Sequence, residues 1–251
     1  MGKHGSTGLG PVVPTIHERG MEMGKTTTNI EPRIAVVGIG GAGCNVINDI
    51  YWADASVRTI AINTDKDSLK QTMSDLKVCL CKDVTKGEGA KGDTLLAERC
   101  AKAHLEEIRG ALTGNDTVFI IAGMGGGTGT GVAPVVAALA HSMNLITFTI
   151  AIRPFSFETN RRKVAREGIT KVSRSCPMTV VIENDKILAK APNMTMNDAF
   201  RMVNRSVVKF VAEKKKELSG VMNEQIEMIH TMMTQRSDAH SLSSYIGTTF
   251  A

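Results

Sequence analysis

Residues 123–131 read Gly123-Met124-Gly125-Gly126-Gly127-Thr128-Gly129-Thr130-Gly131. Six glycines in nine positions leave the backbone uncovered, so its N–H groups can all point at one anion. A strand-like run precedes the stretch and a helix-like run, residues 132–142, follows it. The positive end of a helix dipole and two threonine hydroxyls therefore add to the attraction. We interpret the stretch as a phosphate cradle, because a flexible linker does not stand between a buried strand and an apolar helix.

The rest of the chain alternates strand-like and helix-like segments. Residues 33–37 form a strand-like run that is continuously apolar after Arg33, as expected of a strand buried on both faces of a parallel sheet. Further strands are predicted at residues 58–62, 76–80, 117–122, 145–152 and 178–182, and a long helix at about 195–218. This alternation predicts an α/β fold with a doubly wound, mostly parallel sheet. The unusual loops all follow strands, so they open onto one crevice at the carboxyl ends.

The first glycine loop, Gly38-x-Gly40-x-x-Gly43, also fits a dinucleotide-binding fingerprint. Asp65 stands at the end of the second predicted strand, where such folds carry the acidic contact to ribose. An NAD-dependent or adenylate-forming Rossmann enzyme is therefore an alternative. A dinucleotide fold has no use for a second glycine cradle after its fourth strand, and the sequence has no convincing catalytic set of Ser, His or Cys near the loops.

The run from Gly125 to Gly131, G-G-G-T-G-T-G, resembles the signature of the tubulin and FtsZ superfamily. It differs from the Walker P-loop, because no Gly-Lys-Ser/Thr follows the glycines. The resemblance to FtsZ extends from about residue 33 to residue 228, with the loops in the family's order. It implies a cytoplasmic cell-division or cytoskeletal protein that binds GTP or GDP, with Mg²⁺ held mainly by phosphates and water. The implied partners are further copies of the chain, joined head to tail in filaments, or a fuller FtsZ.

The resemblance also implies which residues face the phosphates. They lie in the first glycine loop, in the segment Asn63-Thr64-Asp65, in the loop that senses the γ-phosphate, and in the cradle. Outside the cradle, the implied residues are Gly40, Gly41, Ala42, Gly43, Asp65, Ala90, Lys91 and Gly92. Lys91 replaces a glycine of the family pattern, and it either adds a cation beside the γ-phosphate or blocks the tight turn.

The sugar is implied to lie beside the segment Pro154-Phe155-Ser156-Phe157-Glu158, which resembles the family's P-F-N-F-E. By that match Glu158 accepts hydrogen bonds from the ribose hydroxyls, and Arg162, one helical turn on, reaches the nucleotide. Glu158 is equally suited to the first turn of a helix, where the dipole stabilises a carboxylate.

The base is implied to lie among three side chains, and Asn45 stands where the family has an asparagine near the base. Asn184, also implied to be a nucleotide-binding residue, opens a segment that resembles the family's N-D-K; its likeness to the N-K-x-D guanine motif of other GTPases is discounted, because the order differs. Phe200 corresponds to the aromatic residue that stacks on guanine. Asn204 follows one turn later on the same face, where its amide can bind the N1/N2 edge.

The resemblance breaks down after the long helix. In the family, a loop there reads N-x-D-x-x-D and orients the attacking water in the next subunit's pocket. Here Gln225 and Met228 stand in place of the two aspartates, and neither can act as a base. We therefore expect weak or absent GTP hydrolysis. The alternative is an active, self-assembling GTPase that uses Glu224 or Glu227.

Three regions are predicted along the chain: a disordered arm over residues 1–31, a nucleotide-binding domain over residues 32–218 and a remainder over residues 219–251. In the remainder, the degenerate loop is followed by an amphipathic helix from about 223 to 240 and a Ser/Thr-rich tail. FtsZ would begin its second domain near this point. The sequence predicts either a minimal member of the family or a shortened chain.

Composition excludes several classes of function. The net charge of +5 is modest and aromatic residues make up only 4% of the chain, so a nucleic-acid partner is not favoured. No run is long and apolar enough to span a membrane, and no secretory signal is visible. The five cysteines have no zinc-like spacing, which predicts a reducing compartment and no structural metal.

Overall fold

The computed structural model describes residues 31–190 and 194–248, with the backbone alone for residue 190 and residues 234–248. The predicted amino-terminal arm thus lies almost wholly outside the described residues. Within them, six strands form one parallel sheet in the order β3-β2-β1-β4-β5-β6. The strands are β1 (Ile34–Ile39), β2 (Arg58–Asn63), β3 (Leu76–Cys79), β4 (Thr117–Gly123), β5 (Ile146–Arg153) and β6 (Thr179–Glu183). The predicted fold class is confirmed.

Nine helices connect or follow these strands in the described part of the chain. They are α1 (Gly40–Ala53), α2 (Lys66–Gln71), α3 (Lys82–Thr85), α4 (Thr94–Ala103), α5 (Leu105–Leu112), α6 (Gly127–Ser142), α7 (Thr159–Ser175), α8 (Asn184–Lys190) and α9 (Met196–Thr248).

The sheet separates two hydrophobic cores. Successive residues of β1 alternate between them, because side chains along a strand point to opposite faces: Ile34 and Val36 face one core, and Ala35 and Val37 face the other. The first core is completed by α1 and by the start of α9. The second is completed by α4, α5, α6 and α7. Consequently α9 and the α4–α7 layer lie on opposite faces of the sheet.

Two predicted boundaries are wrong. The cradle is not a loop throughout, because α6 begins at Gly127 rather than near residue 132, and its glycines form the first helical turn. The long helix does not end near residue 218, because α9 continues without a break to Thr248. Residues 219–233 contain four methionines, two glutamates and one glutamine, which favour a helix, and Gly220 costs only about 1 kcal/mol there. The division of the chain into three regions stays a prediction.

Candidate functional site

Two helices begin side by side at the centre of the sheet. β1 and β4 are neighbours, yet β1 leads through α1 to β2 on one side and β4 leads through α6 to β5 on the other. This reversal opens a crevice at the carboxyl ends of the two strands, where ligands of such sheets bind. The starts of α1 and α6 touch, since a Cβ added to Gly40 would lie 3.1 Å from the nitrogen of Gly129.

The first turns of α1 and α6 are left uncapped. Asp65 caps α2 by accepting a hydrogen bond from the nitrogen of Ser68, and Asp93 caps α4 in the same way. In the described structure, neither α1 nor α6 has a side-chain cap or an acidic residue in its first turn. The amide groups there have no partner within their helices and carry the positive ends of two dipoles. This arrangement is suited to binding an anion.

A cavity of about 630 Å³ lies in front of these two helix ends, within the usual size of a small-molecule site. It collects predicted residues from five separate segments of the chain. The predicted residues that line it are Gly40, Gly41, Ala42, Asn45, Gly123, Gly126, Gly127, Thr128, Gly129, Glu158, Asn184, Phe200 and Asn204. The predicted residues outside its lining are Gly43, Asp65, Ala90, Lys91, Gly92, Gly125, Thr130 and Arg162.

The glycines of the site serve two different purposes. A Cβ on Gly43 would lie 2.4 Å from the carbonyl oxygen of Ile121, and one on Gly129 would lie 2.2 Å from that of Gly123. These two glycines allow helix and strand to pack closely. A Cβ on Gly41 or Gly126 would meet nothing within 4 Å. Packing within the protein does not require glycine at these two positions. A glycine there would instead allow a ligand to come close to the backbone.

Thr64, which sequence reasoning did not single out, joins three of the loops. Its hydroxyl lies 2.6 Å from the hydroxyl of Thr128 and accepts a hydrogen bond of 3.0 Å from the nitrogen of Ala90. Its carbonyl oxygen accepts a further bond from the nitrogen of Gly89 at 3.2 Å. The side chain is fully buried. In the sequence it was marked only by its place after a predicted strand, in the segment Asn63-Thr64-Asp65 that resembles the family's second loop.

The hydroxyl of Thr130 does not point into the cavity as the sequence interpretation assumed. It accepts a hydrogen bond of 2.8 Å from the nitrogen of Gly125, and only 5% of the residue is exposed. Gly125 has φ +100°, and a Cβ there would lie 2.7 Å from the carbonyl oxygen of Arg161. Thr130 therefore fixes the turn before the cradle, and Thr128 is the threonine that lines the cavity.

The loop of residues 87–93 borders the cradle from behind. A Cβ on Gly127 would lie 3.0 Å from the nitrogen of Asp93. Lys91 adopts φ +48°, so the lysine does not block the turn; its ammonium group pairs with Glu88 and is largely exposed. Lys91 thus adopts the left-handed backbone conformation, which the glycine of the family pattern would adopt more easily.

On the predicted sugar side, Glu158 contacts Arg161 rather than Arg162. Its carboxylate accepts a hydrogen bond from the nitrogen of Phe155 at 3.1 Å and pairs with the guanidinium of Arg161 at 2.7 Å. Arg161 lines the cavity. Arg162 is not among the described residues of the lining. The helical turn that separates Glu158 from Arg162 in sequence does not bring the second side chain to the lining.

On the predicted base side, Phe200 packs edge-on against Phe155 with ring centroids 5.5 Å apart, and 47% of it remains exposed. The amide nitrogen of Asn204 donates a hydrogen bond of 2.9 Å to the carboxylate of Asp49 in α1. That bond leaves the amide oxygen of Asn204 free to accept from a base. Asp49 was not predicted, because nothing in its own surroundings in the sequence marks it.

Asn184 presents a buried acceptor at the cavity. Its side chain is only 4% exposed and lines the cavity. Its amide oxygen has no hydrogen-bond partner among residues 31–190 and 194–248. A buried polar atom without a partner costs about 1–3 kcal/mol, so a donor from a bound molecule would remove a real penalty.

Three arginines line the cavity, Arg153, Arg161 and Arg201, and each of them is paired with a carboxylate. Arg153 lies 3.3 Å from Glu183, Arg161 lies 2.7 Å from Glu158, and Arg201 lies 3.7 Å from Asp198. Cys44, just behind the first glycine loop, is buried, and burial raises the pKa of its thiol to about 11. This thiol stays neutral near pH 7 and is no nucleophile. The feature that favours an anion here is therefore the pair of uncapped helix ends, and the thiol of Cys44 is not suited to covalent chemistry.

Comparison with known proteins agrees with this geometry. The model of the Tubulin/FtsZ family, GTPase domain, matches residues 33–192. The chain belongs to the Tubulin/FtsZ family. It is 39% identical over 192 residues to cell division protein FtsZ 1 of Pyrococcus horikoshii, which covers 76% of this chain and 52% of that protein. It is 41% identical over 182 residues to cell division protein FtsZ 2 of Methanocaldococcus jannaschii, covering 72% of this chain and 48% of that protein.

A solved FtsZ dimer of M. jannaschii has the same fold, with a TM-score of 0.70 and 38% identity over 73% of this chain and 54% of that chain. The chain thus spans about half the length of the FtsZ relatives that it matches. In its described residues, no helix is both long and apolar enough to cross a membrane. The same residues contain no group of three or more His, Cys, Asp or Glu side chains arranged to hold a metal ion.

Proposed function

We propose that this chain binds GTP or GDP in the cavity between β1 and β4 and assembles head to tail with further copies of itself. The observation that carries the proposal is the convergence of two uncapped helix ends on one cavity. The open positions at Gly41 and Gly126 suit the approach of phosphates. The exposed ring of Phe200 and the amide oxygen of Asn204 suit a guanine base.

The residues present fit a nucleotide with its metal. The phosphates would lie against the first turns of α1 and α6, with the hydroxyl of Thr128 as a further donor. The bound Mg²⁺ would be held by phosphates and water, since the described residues offer no cluster of three acidic or histidine ligands. The NAD alternative loses support, because Asp65, which it requires at the ribose, caps α2 instead.

Competition binding with GTP, GDP, ATP and NAD tests the ligand. We expect GTP and GDP to bind best, and Asn204→Ala to weaken GTP by roughly 1–3 kcal/mol, the cost of an unpaired polar group. Ser206→Ala on the same helix is the matched control, since that hydroxyl bonds only its own helix backbone at Met202. Equal or better binding of ATP or NAD would remove the proposal.

We further propose that hydrolysis is weak or absent. Gln225 and Met228 occupy the positions of the family's water-orienting carboxylates, and α9 holds both on a continuous helix. Loss of a general base typically lowers the rate about 10²–10⁴-fold. Phosphate release measured against protein concentration checks this. Turnover that rises steeply with concentration would instead support an active GTPase that uses Glu224 or Glu227.

Assembly is tested by sedimentation with GTP and with GDP. We expect GTP to favour larger species, because the nucleotide cavity is open to a neighbouring molecule. A fuller FtsZ is the second partner in this proposal, and co-sedimentation of the two proteins examines it. Failure of both experiments, with GTP binding intact, would leave a nucleotide-binding protein without the proposed filament.

A further inference from the structure

A second groove lies on the outer surface of the α4–α7 layer, away from the nucleotide cavity. It has a volume of about 490 Å³. Its floor is apolar, and the residues that form it are Leu105, Pro134, Val135, Ala138 and Leu139. Nothing in the proposed nucleotide site uses this groove.

The rim of this groove is positive. Lys102, Arg109 and Lys171 stand around it, with Glu98 as the acidic residue of the lining. Glu98 pairs with Lys102 at 2.7 Å and with Lys171 at 3.5 Å, and Arg109 pairs with Glu106 at 3.3 Å, so two carboxylates offset part of the charge of three cations. α7, which forms one wall, carries six basic residues and one acidic residue. An apolar floor with a basic rim suits an amphipathic helix whose polar positions are acidic.

The distal segment of α9, residues 217–233, has this chemistry. It contains three glutamates and no lysine or arginine. Val221, Met228 and Met232 are 53%, 55% and 57% exposed, although large apolar side chains normally avoid water. Their spacing of i, i+7 and i+11 places them on one face, and Glu224 borders that face at i+3 from Val221.

The segment cannot reach the groove of its own molecule. α9 packs through Val203, Val207 and Val211 on the face of the sheet that α1 covers. The groove belongs to the helix layer on the other face. The distal segment also continues the same uninterrupted helix and does not turn back around the sheet.

We propose that the distal segment of one molecule docks into the groove of a second copy, with Val221, Met228 and Met232 on the apolar floor and the glutamates beside the basic rim. The two surfaces differ, so the contact is heterologous and every added copy leaves one segment and one groove free. This contact goes beyond the proposed function, and neither of its surfaces includes the nucleotide cavity of its own molecule. It places Glu224 and Glu227 in the groove of the second copy, and not at that copy's nucleotide cavity.

Sedimentation velocity of the full chain without nucleotide tests the contact. The segment variant carries Met228→Glu and Met232→Glu, and the groove variant carries Lys102→Glu and Lys171→Glu. All four side chains are exposed, and circular dichroism verifies that both variants are folded. We expect the wild type to form larger species with rising concentration. Each variant alone should need at least about tenfold more protein to associate, as expected for the loss of interface anchors.

Mixing the two variants gives the sharper result. In an equal mixture, one intact segment and one intact groove remain, so we expect heterodimers and no larger species. Lys70→Glu with Lys77→Glu, two exposed lysines at the β3 edge that do not line the groove, makes the same change in charge and should associate like the wild type. GTP affinity should be unchanged in all variants, which separates this contact from the proposed function.

Three outcomes would overturn the proposal. A groove variant that associates like the wild type, beside a monomeric segment variant, would show that distal segments pair with each other. Two variants that both associate like the wild type would show that neither surface is used. A wild type that stays monomeric at all concentrations would show that the segment has no second copy as partner.

Discussion

At the scale of single residues, the hydroxyl of Thr64 sets the direction of a hydrogen-bond chain. It accepts from the nitrogen of Ala90 and lies 2.6 Å from the hydroxyl of Thr128. Thr64 is fully buried, so its own proton needs a partner, and Thr128 is the acceptor at hand. The proton of Thr128 then remains free to be donated to an anion in the cavity. Thr64 is therefore a positioning residue.

We predict that Thr64→Val lowers the free energy of unfolding by about 1–3 kcal/mol, because the buried nitrogen of Ala90 loses its acceptor. It should also weaken GTP binding, since Thr128 is no longer oriented. Denaturant unfolding and GTP titration measure the two effects.

Two matched variants make this test specific. Thr64→Ser keeps the hydroxyl and should retain most of the affinity for GTP. Thr117→Val removes a buried hydroxyl that has no partner within the described residues, so it should change stability little. A Thr64→Val protein that unfolds and binds GTP like the wild type would contradict the role of Thr64.

Sequence reasoning at this scale identified backbone positions better than side-chain contacts. Gly41 and Gly126 do line the cavity, because a glycine-rich turn between a strand and a helix acts locally, and their contact with a nucleotide stays a prediction. The contact between Asp49 and Asn204 spans 155 residues and has no local signal. Arg161 and Arg162 differ only in the direction that each takes from α7, which spacing alone does not determine.

At the scale of secondary-structure elements, the continuity of α9 can be tested at Gly220. In a helix, Gly220→Ala should raise the free energy of unfolding by roughly 0.5–1 kcal/mol and increase helicity, because alanine loses less backbone entropy. A Cβ there would meet nothing within 4 Å, so no clash opposes the gain. Gly114→Ala is the control: that glycine has φ +85°, and alanine there should destabilise. No gain at Gly220 would favour the loop that the sequence resemblance predicted.

The contact that joins α9 to the end of α1 should make stability depend on pH. The ammonium group of Lys215 lies 2.8 Å from the carboxylate of Asp54. Burial alone would raise the pKa of Asp54, but hydrogen bonds from Lys215 and Ser56 outweigh it, and the pKa lies below its ordinary value of 3.8. The folded chain therefore binds fewer protons than the unfolded chain at this group, and stability rises with pH across that window.

We expect this contact to contribute fully above about pH 5 and to be lost as the pH falls through the lowered pKa of Asp54. Both side chains are partly exposed, so the contribution should be only about 0.2–1 kcal/mol. Denaturant unfolding of the wild type and of Asp54→Asn over a series of pH values measures it. The difference between the two proteins should vanish in acid. A difference that is constant with pH would mean that the ion pair contributes nothing.

At the scale of the whole molecule, the pattern of strands and helices was enough to predict a parallel sheet, because buried apolar runs between amphipathic helices leave few other folds. The order of the strands could not be predicted from this pattern, because the next strand can pair with β1 on either of its two edges. Only the structure shows that the reversal falls between β1 and β4. The break predicted after residue 218 came from resemblance to a longer family, and helix propensity over residues 214–233 prevailed over it.

Association through the distal segment and the groove should depend on the salt concentration. The contact between distal segment and groove combines exposed charges with apolar side chains. Raising the salt from about 0.1 M to about 1 M shortens the screening length from about 10 Å to about 3 Å. The charged part of the contact should then weaken while the apolar part persists. We therefore predict that nucleotide-free association of the wild type declines with added salt without disappearing.

Light scattering of the nucleotide-free protein over a salt series measures this decline. The segment variant, Met228→Glu with Met232→Glu, is the control, and its weak scattering should not fall further with salt. Lys171→Glu alone should make the wild-type response shallower, because one rim charge that attracts the glutamates has become repulsive. Association that strengthens steadily with salt would mean that apolar burial alone drives it, and the basic rim would then have no part in selecting its partner.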